Sequence, residues 1–358
     1  MKLIIAVCAL WAFCSLVLSY YAFYNPVFAM KFSGFLNDHG ICSLSLMGER
    51  GTRVFFHTAS RWMFPAFLFA TYFAVVQKRH RVFYMTAMIL FEASLAIAYS
   101  RAFYLGVMIC AVLLLIFTAV FFRQHFKGLL MVWGIAVICG VLVLGAISTS
   151  QHFNIFKAML ARTEIAGNLS TGNGPSQPSA NSGVGDASDG VGEENGSDAV
   201  VPDPEISPPE GEHFNSAQDD YLNIQAELDS NAERAAKIKQ ISALIAKNPF
   251  FGNGLGARVA YDNGYVEYFY HDLLAKMGIW GLFCFLLPLF YGATLLFRSG
   301  QYRKTAFPWI FFVAIVYFLV ISYFNPCLNS VTGLSLYILF LTVCYLAHSN
   351  GKIITDGV

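Results

Sequence analysis

Apolar residues fall into eight long runs along the chain, separated by short basic connections and one long polar interval. The runs are roughly Leu3–Tyr24, Arg61–Val76, Val82–Tyr99, Phe103–Phe122, Leu129–Ile147, Leu273–Phe297, Phe307–Phe324 and Leu328–Leu346. Crossing a hydrocarbon core of ~30 Å takes about 20 helical residues, so the pattern predicts about eight transmembrane helices. The second run is short and is expected to begin earlier, near Phe55. The first has a signal-peptide look, with Lys2 ahead of an apolar core. It runs on through Tyr20, Tyr21 and Tyr24 without a small-residue cleavage site, and reads as a retained helix. The expected fold class is an all-α membrane protein. Spans one to five fill residues 1–150, a large external loop fills 151–271, and spans six to eight fill 272–358.

The basic residues of the short connections set the expected orientation. Lys78, Arg79 and Arg81 lie between spans two and three, Arg123 and Lys127 between four and five, and Arg298, Arg303 and Lys304 between six and seven. All fall on one side if both termini are cytoplasmic, and Lys2 and Lys352 agree. The long connection is then outside the cell.

Composition agrees with the pattern. Of the 358 residues, 56% are hydrophobic and 13% charged, against about 25% charged in a soluble domain. The net charge of +1 hides an asymmetry: between Arg162 and Arg234 there is no Lys or Arg, and 15 of the 22 acidic residues lie there. Residues of about 166–214 are rich in Gly, Ser, Asn, Pro and acids and are expected to be disordered. About 216–248 lack Gly, and apolar residues from Tyr221 to Ile245 repeat at three and four, which predicts amphipathic helix ending at Pro249. A glycine-rich turn follows over 249–264. Its Gly252, Gly254 and Gly256 are not read as a nucleotide-phosphate loop, because no strand precedes and no helix immediately follows. They are read as tight turns that bring backbone close to a ligand or a neighbouring helix. Six of the eight cysteines sit inside apolar runs. Cys42 and Cys327 lie outside them, and no Cys-x-x-Cys pair suggests a zinc or redox site.

Ionisable residues at the membrane edge are the candidate chemistry. His271 opens the sixth run within YFYHDLLAKMGIWGLF, and Arg101 sits in the short hairpin between runs three and four. An arginine held at the hydrocarbon boundary costs several kcal/mol unless it is paired or faces water. Arg61 on the second run is accounted for by snorkelling. Arginine recognises phosphate through two parallel hydrogen bonds, and a histidine can take a proton from a hydroxyl near neutral pH. Outside a bacterial membrane the activated phosphates are lipid-linked diphosphates. A metal-dependent transferase is disfavoured, because no carboxylates have the spacing of a metal site. A transporter or flippase without catalysis is the alternative; its key groups would lie near the bilayer midplane, where Glu92 is the one exception in otherwise almost charge-free spans.

SRAFYLG, ERAAKIKQISALIAKNPFFGNGLG and HDLLAKMGIWGLF, in that order, resemble the O-antigen ligase and O-antigen polymerase family, which includes teichuronic-acid polymerases and protein O-oligosaccharyltransferases. The family shows a Ser-Arg hairpin, an arginine-bearing helix before a Pro-x-x-Gly-x-Gly turn, and a histidine opening a helix with Gly-x-x-Gly, here His271, Gly278 and Gly281. The resemblance implies metal-independent transfer of a glycan from undecaprenyl diphosphate to a hydroxyl on a glycan or lipid acceptor. No cofactor and no nucleic-acid partner is implied. Carried over by position, the diphosphate-binding arginines fall on Arg101 and Arg234 and the catalytic histidine on His271. Arg258 is the nearby cation best placed to take over either arginine's role, ahead of Lys157 and Arg162. Asp272, Lys276 and Tyr270 are expected to support the site. Two departures stand out: Asp272 replaces a common asparagine, and no tryptophan follows Arg234. The family usually has ten or more spans, so eight read as a fragment or a reduced member.

Overall fold

The computed structural model describes residues 1–39, 41–46, 52–56, 59–98, 100–150, 235–257, 268–299, 306–324, 327–328 and 330–349. Every predicted run is a helix: α1 Lys2–Tyr24, α3 Ala59–Val76, α4 Arg81–Ile97, α5 Arg101–Phe121, α6 Arg123–Ser150, α8 Phe269–Ser299, α9 Phe307–Ser322 and α10 Val331–Ser349. Between them lie α2 Pro26–Asp38 and α7, residues 235–247. Six of these helices are long and apolar enough to cross a membrane, and α9 and α10 are shorter apolar helices. The acidic interval expected to be disordered, Arg234, Arg258, Arg303, Lys304 and Lys352 lie outside the described residues.

The connection after α1 differs from expectation. The chain forms a small antiparallel hairpin, β1 Cys42–Leu46 with β2 Thr52–Phe56, with Cys42 opposite Phe56 and Leu46 opposite Thr52. The second span therefore does not reach back to Phe55. The sequence TRVFF is rich in β-branched and aromatic residues, which suits a half-buried strand, and α3 begins only at Ala59. Val54 and Phe56 turn inward, and the Phe55 ring meets that of Phe103, tilted, at 5.6 Å. All eight cysteines are free.

Helix α9 is the buried axis of the bundle. Phe311 meets Phe69 of α3 at 4.8 Å, and Tyr317 meets Phe64 at 4.6 Å. On another flank, Gly106 lets α5 approach so closely that a Cβ there would strike Tyr317 and Ile321. Trp309 meets the tilted ring of Phe117 of α5 at 4.2 Å and Phe297 of α8 edge-on at 5.5 Å. Helices α3 and α4 run antiparallel, from Met63 beside Ser94 to Phe73 beside Tyr84. Trp133 of α6 donates to Thr71 of α3 at 3.1 Å. Together these pairs bring the start of α3, the end of α4, the start of α5 and the end of α9 to one end of the bundle. Lys78, Arg79, Arg81, Arg123, Lys127 and Arg298 gather at the opposite end.

Helix α1 has the length and apolarity of a span, yet both of its halves contact that first end. Leu3, Ile4 and Val7 line a cavity of about 690 Å³ with Phe56, Ala59 and Trp62, and Trp11 meets Phe56 at 5.0 Å. Further along, Ser15 and Ser94 share a 2.6 Å hydrogen bond near the end of α4. Helix α1 crosses that end of α3 and α4 instead of running beside them. Small residues on one face (Cys8, Ala12, Ser15, Ser19, Ala22) permit the close crossing.

Candidate functional site

The sixth apolar run is not one straight helix. Gly278 has φ +65° and ψ −166°, and α8 breaks there into two parts, residues 269–277 and 279–299. Phe269 and Phe285 are in ring contact at 5.1 Å; a straight helix would hold them about 24 Å apart, at 1.5 Å per residue. The first part folds back beside the second. This corrects the reading of one span from Leu273. The uninterrupted apolar helix begins at Ile279.

Breaking a helix leaves backbone donors and acceptors without intrahelical partners. Here the glycine-rich turn supplies them. The Ile279 N–H donates to the Pro249 carbonyl at 2.9 Å, and the Trp280 N–H to the Phe250 carbonyl at 3.2 Å. In return the Asn253 N–H donates to the Ala275 carbonyl at 2.9 Å and the Gly254 N–H to the Lys276 carbonyl at 3.0 Å. The two helical bonds that would have joined 279 to 275 and 280 to 276 are each exchanged for two bonds to the turn. Glycine is required where the two backbones touch. A Cβ on Gly278 would run into the Phe250 carbonyl and the Gly252 nitrogen, and one on Gly252, at φ +73°, into the Lys276 backbone. The glycine run is thus a backbone splint for a neighbouring helix.

Asn253 extends the splint to α7. Its Nδ2 donates to the Leu244 carbonyl at 2.8 Å and the Ala275 carbonyl at 3.1 Å, and its Oδ1 accepts from Asn248 at 3.1 Å. One amide thus caps the last turns of two helices. The amphipathic pattern predicted for 216–248 appears over 235–247 as a helix that buries Ile241 and leaves Ala235, Ala236, Lys239 and Ala246 exposed.

His271 lies in the first turn of α8, half-buried, with the rings of Tyr268 at 5.6 Å and Tyr323 at 6.1 Å. Its Nδ1 is buried and has no hydrogen-bond partner among the described residues. Tyr270 anchors this turn, donating from its hydroxyl to the Leu319 carbonyl of α9 at 2.8 Å. Asp272 and Lys276 form an i,i+4 pair at 2.7 Å, so each neutralises the other beside the histidine. Arg101 is the first residue of α5, at the same end of the bundle, with Ser100 ahead of the helix. Helices α5 and α8 both pack on α9 there, through Gly106 on Ile321 and Tyr270 on Leu319. Arg234 precedes the described part of α7, and Arg258 follows the described part of the turn.

Two neighbours escaped the reading of the sequence. Tyr323 faces His271 across 52 residues of chain. Arg61, assigned to snorkelling, stands close to Cys327 in the connection after α9: burial pushes that thiol up to about 11, and the Arg61 guanidinium pulls partly against the rise. No local pattern announces either contact.

Histidine at a break in a membrane helix, an arginine at the same end and a glycine turn locked into the break are the parts of the resemblance noted above. A family model described as O-antigen ligase matches residues 85–286, from α4 through the break in α8. No curated protein and no solved structure matches the chain. The matched region exceeds half of the chain and holds the hairpin arginine, the splint and His271: the protein belongs to the O-antigen ligase family.

Proposed function

We propose that the protein transfers a glycan from undecaprenyl diphosphate to a hydroxyl acceptor on the outer face of the bacterial inner membrane, in polymerising or ligating a cell-surface polysaccharide. His271 is the general base. It takes the acceptor's proton on Nε2 as the acceptor oxygen bonds to the anomeric carbon. The bond from that carbon to the diphosphate breaks, and its electron pair leaves on the phosphate oxygen. Arg101, Arg234 and Arg258 stabilise the charge that develops there. Asp272, Lys276 and Tyr270 hold the turn that carries the histidine. The observation that carries this reading is the half-buried His271 with a free ring nitrogen, fixed at one end of a bundle whose basic connections gather at the other. Basic connections face the cytoplasm as a rule, which supports an external His271 at the height of a lipid diphosphate. The charge-based topology expects both termini in the cytoplasm; the C-terminal helix fits it, whereas Leu3, Ile4 and Val7 lie beside Phe56, Ala59 and Trp62 at the His271 end, so the contacts of α1 speak against a cytoplasmic N-terminus and leave the other spans' orientation unchanged.

The test is transfer from purified lipid-linked donor by full-length protein in nanodiscs. His271→Ala should abolish acceptor-dependent transfer while donor binding persists. Arg101→Lys and Arg234→Lys keep the charge, lose the planar fork and should weaken donor engagement. Near-wild-type transfer by His271→Ala would reject the assignment. A loss at Arg258 with both other arginine variants active would move the diphosphate onto the glycine turn. The reaction needs no metal, so chelation should leave the rate unchanged. Activity restored only by manganese or magnesium would overturn that part.

A further inference from the structure

Gln240 of α7, close to the glycine turn, carries a second orphaned polar atom. Its Oε1 is buried and, like Nδ1 of His271, has no partner among the described residues. The two residues occupy equivalent places. Asn253 binds the carbonyls of Leu244 and Ala275 with one amide nitrogen, which brings the last turns of α7 and of residues 269–277 together. Gln240 lies four residues before Leu244, and His271 four residues before Ala275. Residues four apart share a helix face. Gln240 also lies on the covered side of α7, with Ile241 and Leu244. The last turn of residues 269–277 receives the glycine turn through the Ala275 and Lys276 carbonyls, one turn beyond His271.

Unpaired polar atoms in buried places are costly, by roughly 1–3 kcal/mol each. An acceptor and a ring nitrogen set one turn behind a shared clamp can satisfy each other. Hydrogen bonds in catalytic sites are commonly open before substrates bind and tighten afterwards. The groups that otherwise face the histidine are the Tyr268 and Tyr323 rings, while Asp272 is engaged by Lys276.

We infer that Gln240 is a positioning residue for His271: its side-chain carbonyl accepts the Nδ1 proton and keeps Nε2 unprotonated and turned toward the acceptor hydroxyl. This rests on the proposed role of His271 as base. In other sites the partner of the second ring nitrogen fixes tautomer and ring orientation, and its loss costs about 10–100-fold.

The experiment compares full-length Gln240→Leu, which removes the acceptor, with Gln240→Glu, which keeps one. Gln240→Leu should lower kcat at least about 10-fold with the KM for lipid-linked donor unchanged, and Gln240→Glu should retain most of the rate. In ¹⁵N-histidine spectra of the donor-bound protein, the His271 resonance is identified by its absence in His271→Ala. Its proton should reside on Nδ1 in wild type and Gln240→Glu, and redistribute in Gln240→Leu. An unchanged kcat in Gln240→Leu, or a His271 tautomer indifferent to all substitutions at 240, would overturn the inference. The tautomer is read without turnover, so a full rate in His271→Ala would reject the base while leaving the pairing decided on its own evidence. Should Gln240→Leu fail to fold, Gln240→Asn shortens the side chain and must give the same tautomer shift.

Discussion

Each candidate site residue differs in how much of its setting is local. His271, Asp272, Lys276 and Tyr270 lie within one short stretch, and their order on a helix could be read directly. Replacing His271 by Ala removes a general base and should cost about 10²–10⁴ in rate. The Asp272–Lys276 pair is different. An i,i+4 ion pair contributes about 0.3–0.5 kcal/mol, too little to hold the turn by itself. Tyr270, bonded to the Leu319 carbonyl, and the splint at Ala275 hold it instead. Asp272→Asn, which restores the family's common asparagine, should therefore keep transfer within a few-fold of wild type and leave thermal stability nearly unchanged. A large loss of kcat would give the carboxylate a direct part in the chemistry. Tyr323 was illegible because α9 reaches His271 only through the fold, and Gln240 because α7 is tied to α8 only through Asn253.

Among the elements, the break in α8 is what the hydropathy pattern concealed. Residues 273–297 are apolar throughout, and apolarity records what a segment faces, not whether its backbone runs straight. The signal lay in the pairing of two glycine sites, Gly252 in the turn and Gly278 in the helix, whose backbones need each other. The sequence reading placed the turn against a ligand or a neighbouring helix, and a helix is what it meets. Gly278→Ala combines a positive-φ, extended-ψ backbone essentially reserved for glycine, costing roughly 1–3 kcal/mol for a residue with a Cβ, with collision against the Phe250 and Gly252 backbone. It should lower folded yield or displace the turn outright. Asn253→Ala is milder, because the Asn253 N–H still serves Ala275 while the Leu244 carbonyl loses its side-chain donor. The side-chain bonds with Ala275 and Asn248 go with it, so the loss is up to about 3 kcal/mol, at about 1 kcal/mol per hydrogen bond. The expected result is a folded protein with a loosened α7 and reduced transfer, measurable by comparing melting temperature with rate. Equal damage by both substitutions would mean that the splint matters only for folding.

For the molecule as a whole, eight helices and the gathering of basic residues at one end follow from run lengths and connection charges, because a bilayer limits spanning segments to closed backbone hydrogen bonding. The crossing path of α1 does not follow from them. Its apolarity suits a span and a packed crossing equally, and the Ser15–Ser94 contact that separates the two joins distant runs. The acidic interval is decided by composition on a different ground. Gly172–Pro209 contains few residues able to form a core, so chain entropy has nothing to offset it. The described site is assembled from α5, α7, the glycine turn, α8 and α9. Loop-closure entropy grows only slowly with length, by about 0.6 kcal/mol per doubling, so shortening the connection should hardly disturb the position of α7. Deleting residues 172–209 should leave membrane insertion and transfer from lipid-linked donor largely intact, as judged by rate per folded protein after size-exclusion purification. Complete loss of transfer in a well-folded deletion would instead assign the acidic segment to substrate handling.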